Sequence, residues 1–122
     1  MSQLLRFYPF YKGRGSVVFL KQVQEYLHTL PSPMCVTIYD GQKLFIDPCD
    51  YIGSMIYLYQ DLDPSISWCL KKCLNEGDIF VDVGANIGIE SIPAAKLVGN
   101  TGHIHSFEPN TKVNILQHFP ML

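Results

Sequence analysis

Apolar residues in the first quarter of the chain recur at the spacing of an amphipathic helix. Between residues 16 and 30 they are three or four positions apart, and polar side chains fill the positions between them. The apolar set is Leu20, Val23, Leu27 and Leu30. Ser16 is a residue type that caps helix starts, and Pro31 cannot continue a helix. The pattern predicts one helix over residues 16–30, preceded by an irregular lead-in.

The spacing then changes to alternation, which is typical of half-buried strands. Val36 and Ile38 alternate with more polar residues, as do Leu44 and Ile46. The Asp40-Gly41 pair lies between the two runs, and Asp-Gly favours a short hairpin turn because both positions tolerate a positive φ. We therefore expect a β-hairpin. Residues 50–60 show no clear period, so a short helix and an extended chain both remain open there.

A second helix start is marked by Asp63 and Pro64, as N-cap and first helical residue. The apolar stripe predicted for this helix consists of Ile66, Cys69, Leu70, Cys73 and Leu74, and Gly77 is expected to end it. The four cysteines of the chain are too sparse for a disulfide scaffold and lack further ligands at metal-site spacing. They are expected to be buried free thiols, with no metal site.

The last third of the chain predicts a βαβ unit. Residues 79–83 are short, apolar and rich in β-branched side chains, which is typical of a buried parallel strand. A glycine-bearing turn over residues 84–88 follows, then a helix to about residue 98 that Pro93 should kink, then a second strand over residues 103–107. A further helix is expected from about Thr111. The fold class is therefore α/β, with a βαβ unit preceded by a helix and a hairpin.

The turn and the end of the second strand form the candidate ligand site. Gly84 has no Cβ, so a ligand can approach its backbone, and the free N–H groups of the helix start lie beyond Gly88. Glu108 stands 26 residues after Asp82 (108 − 82), close to where an acidic residue binds a ribose diol in dinucleotide-type folds.

The glycine spacing narrows the class of cofactor. Gly84 and Gly88 are four residues apart with Ala and Asn between them, which does not match the Gly-x-Gly-x-x-Gly of pyrophosphate-binding turns. No Lys-Ser or Lys-Thr follows, so the P-loop pattern fails as well. A cofactor with adenosine but no phosphate fits better, and S-adenosylmethionine is the obvious one. A nicotinamide enzyme remains a disfavoured alternative.

Two segments together indicate a family. Phe80-Val-Asp-Val-Gly-Ala-Asn-Ile-Gly88, followed by Phe107-Glu-Pro-Asn110, closely resembles the FkbM-type S-adenosylmethionine-dependent methyltransferases. The resemblance covers about residues 35–118. It implies a Rossmann-like methyltransferase fold, of which this chain would hold the amino-terminal portion: a lead-in tail and amphipathic helix over residues 1–34, and a truncated methyltransferase domain over residues 35–122.

The resemblance also implies roles for particular residues. Glu108 would bind the ribose hydroxyls, and the turn would line the methionine end of the cofactor. The expected cofactor-binding set is Asp82, Gly84, Ala85, Asn86, Gly88 and Glu108. Members of the family usually methylate a hydroxyl oxygen of a sugar or another small molecule, by in-line displacement with a base to take the proton. The residues do not identify that base.

The family fold has seven strands, and this sequence supplies two of them. We therefore expect the 122 residues alone not to catalyse methyl transfer, and a non-catalytic fragment with at most a binding role is the alternative. The formal net charge of −2 argues against a nucleic-acid partner. No apolar run reaches the roughly 18 residues of a membrane span, so a cytoplasmic location is expected.

Overall fold

The computed structural model describes residues 14–111 and residue 113. The elements in chain order are helices α1 (Arg14–Val18) and α2 (Lys21–Leu27), strands β1 (Met34–Thr37) and β2 (Lys43–Ile46), helices α3 (Tyr51–Tyr59) and α4 (Pro64–Cys73), strand β3 (Ile79–Val83), helix α5 (Ser91–Val98), a 3₁₀ turn (Gly99–Thr101) and strand β4 (His103–Phe107). The α/β class is confirmed. Strands β1 and β2 form an antiparallel sheet, and β3 and β4 form a parallel one. Within this part of the chain, no helix is long and apolar enough to cross a membrane.

The single helix predicted over residues 16–30 is wrong, because two short helices occupy this segment. Leu20 has extended backbone (φ −66°, ψ 130°) and separates α1 from α2. Ser16 lies inside α1 rather than before it, and α2 ends at Leu27, short of Pro31. The break lets both helices pack against α3. That core consists of Val18, Val23, Leu27, Met55, Leu58 and Tyr59.

The predicted hairpin is confirmed, with the register Met34↔Ile46 to Thr37↔Lys43. Its turn is longer than the two residues expected. The N–H of Ile38 donates to the carbonyl of Gln42 at 2.9 Å, and the N–H of Gly41 donates to the carbonyl of Ile38 at 3.0 Å. Only Gly41 of the Asp40-Gly41 pair has a positive φ, at 87°. The loop is therefore a three-residue connection with glycine in its last position, a common hairpin class.

Residues 50–60, where two conformations remained open, form the helix α3. Asp50 caps it, because its Oδ1 accepts the N–H of Gly53 at 2.5 Å. One side of α3 packs against α1 and α2, and Ile56 packs against the hairpin. A helix covered on two sides is apolar nearly all round. That burial explains why its sequence shows no helical period.

Helix α4 begins as predicted but buries a different face. Asp63 is the N-cap, since its Oδ1 accepts the N–H of Ser65 at 2.9 Å, and Pro64 is the first helical residue. The helix ends at Cys73 rather than near Gly77, because Leu74 is extended. Only Ser67 and Leu70 are buried.

The apolar stripe predicted for α4 is therefore largely on the surface. Ile66 is 45% exposed, and Cys69 and Cys73 are exposed. Among the other cysteines, Cys35 is exposed and Cys49 is half-buried, so the expectation of buried thiols is wrong. Helix α4 meets the protein through the face centred on Leu70, so only this member of the helical stripe is buried.

Strands β3 and β4 are parallel neighbours, as predicted, in the register Ile79↔His103 to Val83↔Phe107. The expectation that β3 is buried is wrong for one of its faces: Ile79 is 66% exposed and Val83 is 82% exposed. Helix α5 covers the other face, where Phe80 and Asp82 are half-buried. The β-branched run predicts the strand itself but does not determine how many faces are covered.

Helix α5 begins at Ser91, so Pro93 lies too close to its start to remove a hydrogen bond within the helix, which is the reason for expecting a kink. Pro93 is its third residue, in the first turn, where a backbone N–H has no partner within the helix. The helix ends as predicted at Gly99, whose φ is 64°. Thr111 and Val113 are helical, as expected for the start of the next helix, and the remainder of that helix lies outside the described residues.

Candidate functional site

The candidate site lies where the parallel strands end. Val83 and Phe107 are in register as the last residues of β3 and β4. Beyond them, the N–H groups of Gly84 and Ala85 both donate to the carbonyl of Phe107, at 2.8 and 3.1 Å. The turn after β3 is thus bonded to the end of β4, as expected for parallel strands whose carboxyl ends share one edge of a sheet.

The turn requires an unusual backbone at three of its residues. Gly84, Asn86 and Gly88 have φ values of 83°, 48° and 88°. Asparagine tolerates this region better than most residues, and here its Oδ1 accepts the N–H of Ile87 at 2.8 Å. The N–H of Gly88 donates to the carbonyl of Ala85 at 2.8 Å and closes the turn. The Gly-Ala-Asn-Ile-Gly order therefore suits the geometry of the turn residue by residue.

Gly84 is the exposed point of the turn. A Cβ built on it would have no atom within 4 Å, so the space beside it is open. Its positive φ still disfavours any other residue. Gly88 and Ala85 are buried, so they support the turn from beneath and present no side chain to a ligand. A ligand could approach the turn at Gly84.

Glu108 lies directly against the turn. Its Oε2 accepts the N–H of Asn86 at 2.9 Å, and its Oε1 accepts the N–H of Asn110 at 2.7 Å. These two bonds fix the carboxylate at the end of β4. An ionised carboxylate accepts hydrogen bonds and does not donate them, so Glu108 is suited to amide and hydroxyl donors at this edge of the sheet.

Asp82 lies on the face of β3 that α5 covers. Its Oδ2 accepts the hydroxyl of Ser91, the first residue of α5, at 2.5 Å. The Ser91 hydroxyl is also 2.6 Å from that of Ser106 on β4. Asp82 thus joins both strands to the helix that follows the turn. Its partner is a side chain, so Asp82 does not cap the backbone of α5.

The hydrophobic support of the turn is not apparent from the sequence. Ile87 and Ile89 are buried in one cluster with residues of the hairpin and α3. The other buried members of that cluster are Ile38, Leu44, Ile46 and Ile56. Ile87 and Ile89 stand on either side of Gly88, and these two apolar residues are the sequence signal for this packing. The hairpin therefore holds the turn in place from the side opposite its exposed point.

Lys96 of α5 forms a hydrogen bond and an ion pair with Asp40 of the hairpin turn. Its Nζ donates to the carbonyl of Asp40 at 2.8 Å and lies 4.0 Å from Oδ2 of the same residue. Lys71 of α4 stands over the ring of Tyr39, 4.6 Å from its centre. An open cavity of about 300 Å³ lies at this junction, lined by Tyr39, Asp40, Lys71, Pro93, Lys96 and Leu97.

Glu90 is the charged group near the turn that the sequence analysis missed. It is the N-cap residue of α5 but makes no capping bond, and its Oε2 is buried without a hydrogen bond from the described residues. Burial, followed by the nearby charges of Asp61, Asp82 and Asp63, raises the pKa of Glu90 to about 7. Glu90 and these three aspartates therefore form a group of neighbouring carboxyl groups close to the start of α5.

Two histidines of β4 lie on the sheet face that α5 does not cover. His103 and His105 are exposed on β4, in register with Ile79 and Val81 of the uncovered sheet face. Over residues 14–111, no group of three or more His, Cys, Asp or Glu side chains is arranged to hold a metal ion.

Comparison with protein-family models, curated proteins and solved structures finds no match to this chain.

Proposed function

We propose that this protein carries the cofactor-binding βαβ unit of an S-adenosylmethionine-dependent methyltransferase of the FkbM type with a Rossmann-like fold, whose acceptor is a hydroxyl oxygen of a small molecule or sugar. The observation that carries the proposal is the contact of Glu108 with the turn, a 2.9 Å bond to the N–H of Asn86. An acidic residue and a glycine turn at the ends of two parallel strands are the two parts that a nucleoside cofactor needs.

The ribose end of the cofactor fits the carboxylate of Glu108 at the end of β4. Two ribose hydroxyls could donate to its carboxylate while the amides of Asn86 and Asn110 keep it in place. The open space beside Gly84 leaves room for the part of the cofactor next to the ribose. The methionine end would then lie along the turn.

The charge around the turn favours a cationic cofactor over a phosphorylated one. Glu90 is close enough to Asp61, Asp82 and Asp63 for their charges to raise its pKa, and Glu108 contacts the turn itself. Carboxylates repel a pyrophosphate but attract the sulfonium and ammonium groups of S-adenosylmethionine. These carboxyl groups therefore favour S-adenosylmethionine over a nicotinamide cofactor, which carries a pyrophosphate.

When bound, S-adenosylmethionine would supply the methyl group, which an acceptor oxygen attacks in line while S-adenosylhomocysteine leaves and a base takes the hydroxyl proton. The contribution of this chain is to position that methyl group. Glu108 would bind the ribose, and the turn would line the methionine part of the cofactor. Ile87 and Ile89 pack against the hairpin and α3 and so hold the turn in position. Orientation of this kind is a large part of catalysis when one reactant attacks another directly.

Calorimetric titration of S-adenosylmethionine tests the proposal. Glu108→Ala removes an acceptor for up to two charge-assisted bonds, each of about 1.5–3 kcal/mol, so affinity should fall at least about tenfold. Glu25→Ala is the matched control, because Glu25 is an exposed helical glutamate paired only with Lys21 at 3.7 Å. We expect Glu25→Ala to bind S-adenosylmethionine with the affinity of the wild type.

A third variant separates binding from folding. Glu108→Gln keeps one acceptor oxygen for the N–H of Asn86 and should retain the fold while still weakening binding. Circular dichroism and thermal melts establish that each variant is folded. Equal affinities of wild type, Glu108→Ala and Glu25→Ala, or absence of binding by the wild type, would contradict the proposal.

A further inference from the structure

The exposed face of α4 carries two thiols side by side. Cys69 and Cys73 are four residues apart, so they occupy adjacent positions on one face of the helix. Their sulfur atoms are 3.7 Å apart, and both side chains are exposed. Cys35 and Cys49 lie on other elements. The pair is thus a preformed dithiol on a regular helix, separate from the residues of the glycine turn.

The sulfur separation matches one class of ligand. Two thiolates bound at about 2.3 Å to a tetrahedral zinc ion lie about 3.8 Å apart. The observed 3.7 Å needs almost no adjustment to reach this spacing. A disulfide needs the two sulfurs at about 2.05 Å with a specific dihedral angle, so it would require the side chains to move much closer together.

The surroundings leave the dithiol accessible. Two lysines lie between the cysteines: Lys71 is directed to the ring of Tyr39, 4.6 Å from its centre, and Lys72 is exposed to solvent. The hydrogen bond between the two thiols is the main cause that raises the pKa of Cys69. A thiophilic cation would replace the proton in that bond, since thiolates rather than thiols are metal ligands.

We propose that Cys69 and Cys73 form a binding site for a thiophilic d¹⁰ divalent cation such as Zn²⁺ or Cd²⁺, with both thiolates as ligands. Solvent occupies the remaining coordination positions, because the helix supplies no further ligand among the described residues. The site is therefore open on its outer side, in contrast to a closed four-ligand structural site.

Cadmium titration under anaerobic, reducing conditions tests the site. Cd²⁺ bound to thiolates absorbs in the ultraviolet by charge transfer, and this absorption should appear and saturate in the wild type. Trp68 is the only tryptophan of the chain, precedes Cys69 and is 64% exposed, so its fluorescence should change over the same titration. The charge-transfer absorption and the Trp68 fluorescence then report independently on Cd²⁺ binding to α4.

Serine variants identify the ligands. Cys69→Ser and Cys73→Ser should each weaken Cd²⁺ binding at least about tenfold, because even loss of an outer-shell partner costs about 10–100-fold in metal affinity. Cys35→Ser is the matched control, since Cys35 is also exposed but has no second thiol beside it. It should bind Cd²⁺ like the wild type. The replaced thiols are exposed, so the fold should be preserved.

A rescue variant tests the spacing itself. Adding Ser65→Cys to Cys73→Ser places the second thiol one turn earlier, again four residues from Cys69, at an exposed helical position. Cd²⁺ binding should return. The proposal is overturned if the wild type shows no charge-transfer absorption, if Cys35→Ser loses it equally, or if the single variants of the pair bind like the wild type.

Discussion

At the scale of single residues, Glu90 shows how the fold opposes the ionisation of a carboxyl group. Its usual pKa is 4.5, and burial together with Asp61, Asp82 and Asp63 raises it to about 7. Between these two pH values the folded protein retains a proton that the unfolded chain releases. The contribution of Glu90 to stability is therefore lost as the pH rises through this window.

Glu90→Gln removes the loss of stability that comes from ionising this carboxyl group, because the amide is neutral at every pH. We expect the variant to be more stable than the wild type at pH 8, by about 1 kcal/mol, which is well below the full value of such a shift because solvent screens the exposed part of the side chain. The difference should vanish near pH 4, where Glu90 is protonated in both states. Urea unfolding at several pH values measures it.

The control for this measurement is Glu25→Gln, at an exposed helical glutamate. It should change stability by less than about 0.5 kcal/mol at either pH. A constant stability difference between Glu90→Gln and the wild type from pH 4 to pH 8 would contradict the assignment, since a packing effect does not titrate.

At the scale of elements, α3 depends on a glycine where it crosses the end of β2. A Cβ built on Gly53 would lie 1.9 Å from the carbonyl oxygen of Asp47. Alanine normally stabilises a helix interior over glycine by about 0.5–1 kcal/mol. Here the backbone of Asp47 cannot move aside without shifting the strand.

We therefore expect Gly53→Ala to destabilise the protein by about 1–3 kcal/mol, the usual cost of overpacking. Gly15→Ala in α1 is the control, because its added Cβ would meet only the end of the Tyr51 side chain, at 3.0 Å, which can rotate away. It should be neutral within about 0.5 kcal/mol. Thermal and urea unfolding measure the stability of both variants. Equal stabilities of Gly53→Ala and Gly15→Ala would show that α3 can move away from the end of β2 at no cost.

At the scale of the whole molecule, the parallel sheet has one uncovered face. Its apolar members are Ile79, Val81, Val83 and Phe107, each more than half exposed. Helix α5 packs only on the opposite face, and β3 pairs only with β4 among the described strands. Contiguous exposed apolar surface of this kind binds apolar dyes and promotes association.

A charge in the middle of this sheet face should reduce both the binding of apolar dyes and the association of the protein. We expect Val81→Lys to lower the fluorescence of bound anilinonaphthalene sulfonate to roughly half of the wild-type value or less. Leu20→Lys is the control, because Leu20 is 52% exposed and Val81 is 54% exposed, but Leu20 lies between two helices rather than on the sheet. An equal loss of fluorescence in both variants would show that the dye does not report on the sheet face.

Several features follow from local sequence signals alone. The start of α4 at Asp63 and Pro64, the strand over residues 79–83 and the end of α5 at Gly99 are all where the sequence predicts them. Each depends on a preference of a few adjacent residues, such as a capping carboxylate or a glycine that tolerates positive φ. The turn from Gly84 to Gly88 belongs to the same group, since its glycines and Asn86 take the backbone that the residue types favour.

Other features depend on what packs against each element, and this only the tertiary structure decides. An apolar stripe shows which side chains share a face, but not whether another element covers it; hence α4 buries Leu70 and exposes Cys69 and Cys73. The helix predicted over residues 16–30 breaks at Leu20 because two short helices can both reach α3. Likewise, Ile87 and Ile89 anchor the turn to the hairpin across some 40 residues of sequence, a contact that exists only once both units have folded.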